Sequence, residues 1–256
     1  MDGSGDRYVS LSPARRLVGD FLAAGQSLCL LPVQKRMRLA ELVAARAAAN
    51  PRPSWCALFV KALSAVAARR PELRRSYLTF PWARLYEHGE NVISVVVSRP
   101  WQGEDVIFTV QLKAPERMPI GDIDAFIRKY KECPVEEIGY FRSGLRFARL
   151  PTPLRRLALW ALMNCFPQTR AKVLGTSGVS VIAGNGAAGF FTYAPWTTSL
   201  MYDCFAADGS LDVRLTFDHR VFDGILVAQS LQDMEDELLG PILDEVRALE
   251  ASAMAA

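Results

Sequence analysis

His219 is the residue of this chain best suited to acid–base chemistry. It is one of only two histidines, and histidine is the side chain that exchanges a proton near neutral pH. Its surroundings read Phe217-Asp218-His219-Arg220-Val221-Phe222-Asp223-Gly224. Residues 211–217 before it alternate apolar and polar, as a strand does. Residues 225–239 after it carry helical spacing. A histidine is therefore expected at the end of a strand, one loop before a helix. Asp223 and Gly224 suit the entry to that helix, where an Asp oxygen accepts orphan N–H groups and Gly permits a tight bend. The second histidine lies in Tyr86-Glu87-His88-Gly89-Glu90, a polar, turn-like stretch expected at the surface.

The motif HxxxDG at a strand–helix junction resembles the active-site signature of the CoA-dependent acyltransferase superfamily. That superfamily includes chloramphenicol acetyltransferase and the E2 catalytic domain of 2-oxoacid dehydrogenase complexes. The longer string resembles the E2 branch, which reads close to S-F-D-H-R-V-x-D-G. Three further stretches extend the resemblance. Leu11-Ser12-Pro13-Ala14-Arg15-Arg16 is similar to the opening of an E2 domain, where an arginine starts the first helix. Residues 59–73 (FVKALSAVAARRPEL) are similar to the E2 helix that ends in P-E-L. Gly175-Thr176-Ser177-Gly178-Val179-Ser180-Val181 is similar to G-T-F-T-I-S-N. Two stretches depart from the pattern. Val181-Ile182-Ala183-Gly184 stands where E2 reads N-L-G, and residues 140–172 form an insertion without an E2 counterpart.

The resemblance implies a role for each matched residue. His219 is the general base for a CoA or acceptor thiol, because the thiolate is the attacking species. Ser180 is the hydroxyl donor to the tetrahedral oxyanion, with Thr176 and Ser177 as alternatives. Asp223 supports the histidine loop, either paired with Arg15 (Arg16 as fallback) or simply as a helix cap. CoA or acyl-CoA is a substrate; no metal and no lipoyl group on this chain are expected. The active site is expected between the subunits of a homotrimer, or of an assembly of trimers, with Ser180 of one facing His219 of the next. CoA and the acceptor then enter a channel from opposite ends. Gly184, Asn185, Gly186 and Gly189 read as a plain turn, with a channel wall as the alternative; Gly-x-Gly alone is weak support for phosphate binding.

Composition narrows the setting. Half of the 256 residues are apolar, enough for one sizeable core, and no Gly/Ser- or Pro-rich linker divides them, so a single catalytic domain over 1–256 is expected. The net charge of +3 is too small to argue for nucleic acid. Five cysteines (Cys29, Cys56, Cys133, Cys165, Cys204) without CxxC spacing argue against a disulfide framework or a zinc site. The polar N-terminus lacks a secretory pattern and no apolar run spans a bilayer, which favours the cytoplasm. No lipoyl or subunit-binding pattern precedes residue 11, so a bare catalytic domain or free-standing relative is expected. A dehydrogenase-complex core served by a separate lipoyl or other acyl-carrier protein, and a non-catalytic scaffold on the same fold, are the competing readings.

The elements that must position His219 follow from periodicity. Helices are expected over 13–24, 39–49, 54–69, 121–132 and 225–239, and extended segments over 28–37, 92–98, 106–113, 179–183, 199–205 and 211–217. This mixture predicts an α/β two-layer sandwich with a mixed, mostly antiparallel sheet, as in chloramphenicol acetyltransferase. Within the insertion, Arg142, Arg146, Arg149, Arg155 and Arg156 cluster ahead of the apolar residues 157–163. Apolar residues surround that helix instead of forming one stripe, so burial against protein is expected; membrane contact through 142–166 is the alternative.

Overall fold

The protein is described by a computed structural model covering residues 7–181, 186, 189–191 and 193–254. Its centre is a sheet of strands β1 (Leu30–Arg38), β4 (Val92–Trp101), β5 (Glu104–Lys113), β6 (Ser177–Val179), β7 (Thr198–Tyr202) and β8 (Ser210–Asp218). They lie in the order β1-β8-β7-β6-β4-β5. The β1–β8, β7–β8 and β4–β5 pairs are antiparallel, whereas the short β6 runs parallel to both its neighbours. The sheet is thus mixed and mostly antiparallel, as expected.

Period-two alternation gives the sheet two different faces. Leu211, Val213, Leu215 and Phe217 of β8, with Leu200 of β7 and Ile93 and Val95 of β4, face a dry core. Helices α3 (Trp55–Arg69), α4 (Ile120–Glu132) and α8 (Gly224–Leu239) supply its other half. In α8 the buried residues Val227, Leu231, Met234 and Leu238 recur at helical spacing. Phe59 of α3 stacks on Tyr202, with centroids 4.2 Å apart. The opposite face is polar: Ser94, Gln111, Ser199, Arg214, Thr216 and Asp218 point that way and are buried. Trp196 lies on this face over Gly178, where a β-carbon would come within 2.1 Å of the indole ring. That contact requires glycine at the centre of β6.

Helix α1 (Pro13–Gln26) starts as its sequence dictates, with Ser12 accepting from the Arg15 N–H at 3.0 Å and proline in the first turn. Helix α2 (Ala40–Ala48) follows β1, and α9 (Pro241–Met254) closes the chain. The insertion folds as α5 (Gly139–Ala148), α6 (Thr152–Asn164) and α7 (Pro167–Leu174). Among the described residues no helix is long and apolar enough to cross a membrane.

Three expectations are corrected. The strand placed at 179–183 runs instead over Ser177–Val179, because its Ser177 and Val179 side chains fill the core between β4 and β7. A hairpin, β2 (Arg75–Leu78) with β3 (Arg84–Glu87), folds residue 88 inward, so His88 is buried and not at the surface. Its Nε2 lies 3.0 Å from Ser76 Oγ, and burial, aided by Arg170 and Arg74, lowers its pKa to about 4. The insertion helix α6 is turned the other way from expectation. It buries Arg155, whose Nε donates to Asp20 Oδ2 at 2.6 Å, and exposes Leu154, Leu157 and Trp160.

Candidate active site

His219 follows the last residue of β8, and its position is set from both sides by main-chain contacts. Its N–H donates to the Cys29 carbonyl at 2.9 Å, and Asp218 N–H donates to the Thr197 carbonyl at 2.9 Å. Phe217 and Phe222 stack at 5.4 Å, fastening the two ends of the loop to the core. The imidazole Nδ1 lies 3.2 Å from the Phe222 carbonyl. A carbonyl only accepts, so Nδ1 carries the hydrogen and the neutral ring presents its Nε2 lone pair outward. With 45% of its side chain exposed, His219 is open to a reactant on that side. This is the tautomer and orientation a general base needs.

A buried ion pair aims the same loop. Asp218 is 1% exposed, and its carboxylate accepts from Arg220 Nε at 2.9 Å and Nη2 at 2.6 Å. The Arg220 guanidinium also lies over the Tyr77 ring at 4.6 Å. A second guanidinium, that of Arg170 in α7, is buried nearby. It donates to the Met163 and Pro195 carbonyls, at 3.4 and 3.1 Å. Burial lowers its pKa to about 10, against the opposing pull of Asp218. Sequence reasoning assigned no role to Asp218 or Arg220 and missed Arg170. The Asp-x-Arg spacing within the motif was the available signal for the first two.

Asp223 takes the cap position of α8, and its carbonyl accepts from the N–H groups of Leu226 and Val227, at 3.1 and 3.4 Å. Its side chain makes no cap hydrogen bond and is 82% exposed, with Oδ1 3.4 Å from His219 Nδ1. Arg15 is exposed on α1, and no ion pair joins it to Asp223 among the described residues. The arginine that braces the loop in this chain is Arg220, two residues from its partner.

Ser180 lies just beyond β6, half-buried, with its N–H donating to the Leu200 carbonyl at 3.0 Å. It continues the alternation of β6 onto the polar face, opposite in direction to Val179. The alternatives are occupied elsewhere. Thr176 Oγ1 accepts from Val92 N–H at 3.1 Å, and Ser177 Oγ accepts from Thr198 Oγ1 at 2.6 Å, both in the protein interior. Gly184 and Asn185 fall outside the described residues.

The register fixes where Ser180 stands relative to His219. Val179 opposes Leu200, and Met201 opposes Arg214, so Ser180 is level with Arg214. His219 is five residues farther along β8, roughly 17 Å at the usual rise of a strand. Ser180 stands level with the middle of β8 and His219 just past its end, so the two do not meet within a chain. A cleft of about 730 Å³ opens at the Ser180 end, where β6 stops, lined by Trp55, Val97, Val179, Val181 and Phe205 with Lys131 at its edge. Cys56 lies in its wall, and burial pushes its thiol pKa up to about 11. Among the described residues no cluster of His, Cys, Asp or Glu could hold a metal ion.

This architecture recurs in known structures. A probable dihydrolipoamide acetyltransferase from Listeria monocytogenes superposes with a TM-score of 0.67 at 18% identity, over 91% of this chain and 94% of that one. A truncated catalytic core of the 2-oxoacid dehydrogenase multienzyme complex from Thermoplasma acidophilum gives 0.67 at 14%, over 92% and 99%. A chloramphenicol acetyltransferase gives 0.53 at 12%, over 91% and 99%. No protein-family model matches the sequence, and no curated protein matches it. The fold is that of E2 catalytic cores and chloramphenicol acetyltransferase, and it spans nearly the whole chain.

Proposed function

We propose that this chain is a CoA-dependent acyltransferase in which His219 is the general base. The observation that carries the reading is the His219 geometry: an exposed imidazole whose Nδ1–H is held by the Phe222 carbonyl, on an acyltransferase fold. In the forward direction Nε2 removes the thiol, hydroxyl or amine proton as that group attacks the acyl carbonyl. The carbonyl π pair moves onto oxygen, and a tetrahedral intermediate forms. Its collapse breaks the bond to the CoA sulfur, and the departing thiolate takes the proton back from the imidazolium. Thiol-to-thioester transfer is the same sequence read in either direction. One hydroxyl aimed at the oxyanion contributes about 3 kcal/mol in comparable sites, and Ser180 is assigned this role.

Because Ser180 and His219 lie roughly 17 Å apart along the sheet, the proposal requires them to come from different copies. A homotrimer, or an assembly of trimers, supplies that arrangement: the Ser180 face of one subunit receives the His219 loop of the next. Asp223 sits beside the imidazole, with Oδ1 3.4 Å from Nδ1. CoA is a substrate, and this chain's residues perform the proton transfers without a metal.

The test is an acyl-CoA panel with free-thiol release as readout, with and without added dihydrolipoamide, on the wild type and His219→Ala. Turnover lost in His219→Ala with an unchanged melting transition supports the base assignment; near-normal turnover removes it. A strict need for dihydrolipoamide would assign the chain to a dehydrogenase-type core served by a separate lipoyl carrier. Release with every acceptor but that one would set it apart from such complexes. No turnover with any acyl-CoA would leave a scaffold.

A further inference from the structure

The insertion carries a surface that the catalytic reading does not use. Residues 139–174 contain seven Arg or Lys and no Asp or Glu. On α5, Arg142 and Arg146 are exposed, as are Arg149 just after it, at continued helical spacing, and Arg156 on α6. Among the described residues none of these four makes an ion pair. Helices α5 and α6 are joined by a three-residue turn, and both pack on α1.

The outward side of α6 is apolar. Leu154, Leu157 and Trp160 are 54, 61 and 47% exposed. The tip of the β2–β3 hairpin joins them: Phe80 meets Trp160 edge-on at 5.6 Å, and Trp82 is 68% exposed. Asn164 of α6 accepts from Thr79 of the hairpin, which ties the two elements together. The roll of α6 is not accidental. Arg155 is drawn inward by Asp20 Oδ2 at 2.6 Å and by the Leu150 carbonyl at 2.6 Å, so residues half a turn away must face out. The protein therefore buries a charge beneath this helix and presents tryptophan and leucine to solvent, with Arg156 one turn from Trp160 on the same helix and three more unpaired arginines on and just after α5.

From this combination we infer that α5, α6 and the hairpin tip form a docking face for an anionic lipid surface. Indole rings settle at the headgroup level, leucines enter the acyl boundary, and arginines reach lipid phosphates. Charge complementarity selects this occupant. An acidic protein would satisfy the arginines but not the exposed leucines and tryptophans, and a second copy of this chain would bring like charges together. The inference stands independently of the acyl-transfer chemistry, since none of these side chains lies near His219 or Ser180 in the sequence or takes part in its loop.

The experiment is co-sedimentation of the full chain with vesicles of phosphatidylcholine alone and of an equal mixture with phosphatidylglycerol, at low and high salt. The variants are Trp160→Asp, Leu157→Asp and the quadruple Arg142/Arg146/Arg149/Arg156→Gln, each checked by its melting curve. Binding to the anionic vesicles should exceed binding to the neutral ones and fall with salt. Each arginine removed should weaken it about fivefold, so the quadruple variant should lose it. The exposed side chains make these variants tolerable to the fold, and the arginine set changes no apolar contact. No binding to either vesicle overturns the inference. So does binding that ignores both phosphatidylglycerol and the arginines. If the Asp variants instead dissociate the oligomer in sedimentation velocity while the wild type ignores vesicles, the face is a subunit contact and the inference fails.

Discussion

Cutting the Asp218–Arg220 pair should cost several kcal/mol, about 3–5 where one buried partner is lost. The carboxylate is 1% exposed and receives two charge-assisted hydrogen bonds, at 2.9 and 2.6 Å. Charged hydrogen bonds contribute about 1.5–3 kcal/mol each, and breaking a buried pair by removing one partner costs about 3–5 kcal/mol. The two single variants are not equivalent. Asp218→Ala leaves a guanidinium whose side chain is 25% exposed and can turn to water, although it also removes the carboxylate that opposes the buried charge of Arg170. Arg220→Ala leaves a carboxylate that water cannot reach. We expect about 3 kcal/mol for the first and about 4 for the second, or a fall in melting temperature of about 6–16 °C for a domain of this size. The double variant should lose less than the sum, with a coupling of about 2 kcal/mol. Turnover should fall as well, by about a hundredfold if the loop shifts by 1 Å, with kcat more affected than KM. Urea unfolding of the four proteins, followed by steady-state kinetics, checks both statements. Additive losses below about 1 kcal/mol each would show that the pair does not brace the loop.

His88 predicts acid sensitivity. The folded state holds it neutral until about pH 4, whereas an unfolded histidine binds a proton below about pH 6.5. Between these values the unfolded chain holds the extra proton, so stability falls as pH drops from 6.5 toward 4, by up to about 3 kcal/mol. Urea midpoints of wild type and His88→Gln at several pH values test this: the variant should lack that part of the slope, and parallel slopes refute it. Gly178→Ala should destabilise by about 1–3 kcal/mol or more, because the new methyl group meets the Trp196 ring at 2.1 Å; an unchanged melting curve would contradict the packing. Mixing inactive Ser180→Ala and His219→Ala chains under subunit exchange should restore some activity, measured as thiol release. No recovery after demonstrated exchange, or an active monomer, would overturn the shared site.

The elements closest to His219 were legible because local rules and tertiary demands agree there. Alternation along residues 211–217 and the helical stripe of 225–239 both survive in the fold, and Ser12-Pro13 marks the start of α1 as written. Two of the failures come from a distant partner. Arg155 reads as one more exposed arginine until Asp20, far away in sequence, takes its charge; its inward turn forces the leucines out. His88 reads as a polar turn until a hairpin of two four-residue strands, too short for a periodicity signal, carries it inside. Asp223 reads either as a partner of the first-helix arginine or as a helix cap; it takes the cap position, its side chain stays in solvent, and Arg220 pairs with Asp218. Strand β6 was placed two residues late because Gly178 interrupts an apolar pattern, and only the overlying Trp196 explains that glycine.

The two faces of the sheet divide stability from chemistry. On the core face Leu211, Val213, Leu215 and Phe217 are covered by α8, so the register of β8 is fixed, since a slip of one residue would send four apolar side chains into the polar layer. That constraint also fixes what stands on the other face. Arg214, Thr216 and Asp218 must point away from the core, and the residue after Asp218 must leave the sheet. The Arg214 pair with Asp203, at 2.6 and 2.7 Å, and the Asp218 pair with Arg220 each use one of these enforced positions. The first ties the middle of β8 to the residue after β7, level with Ser180, and the second ties the loop of His219. The middle and the C-terminal end of β8 therefore each carry an ion pair near a candidate functional residue. The strand between them is a rigid spacer, and it sets the distance that a partner subunit must bridge in the proposed site.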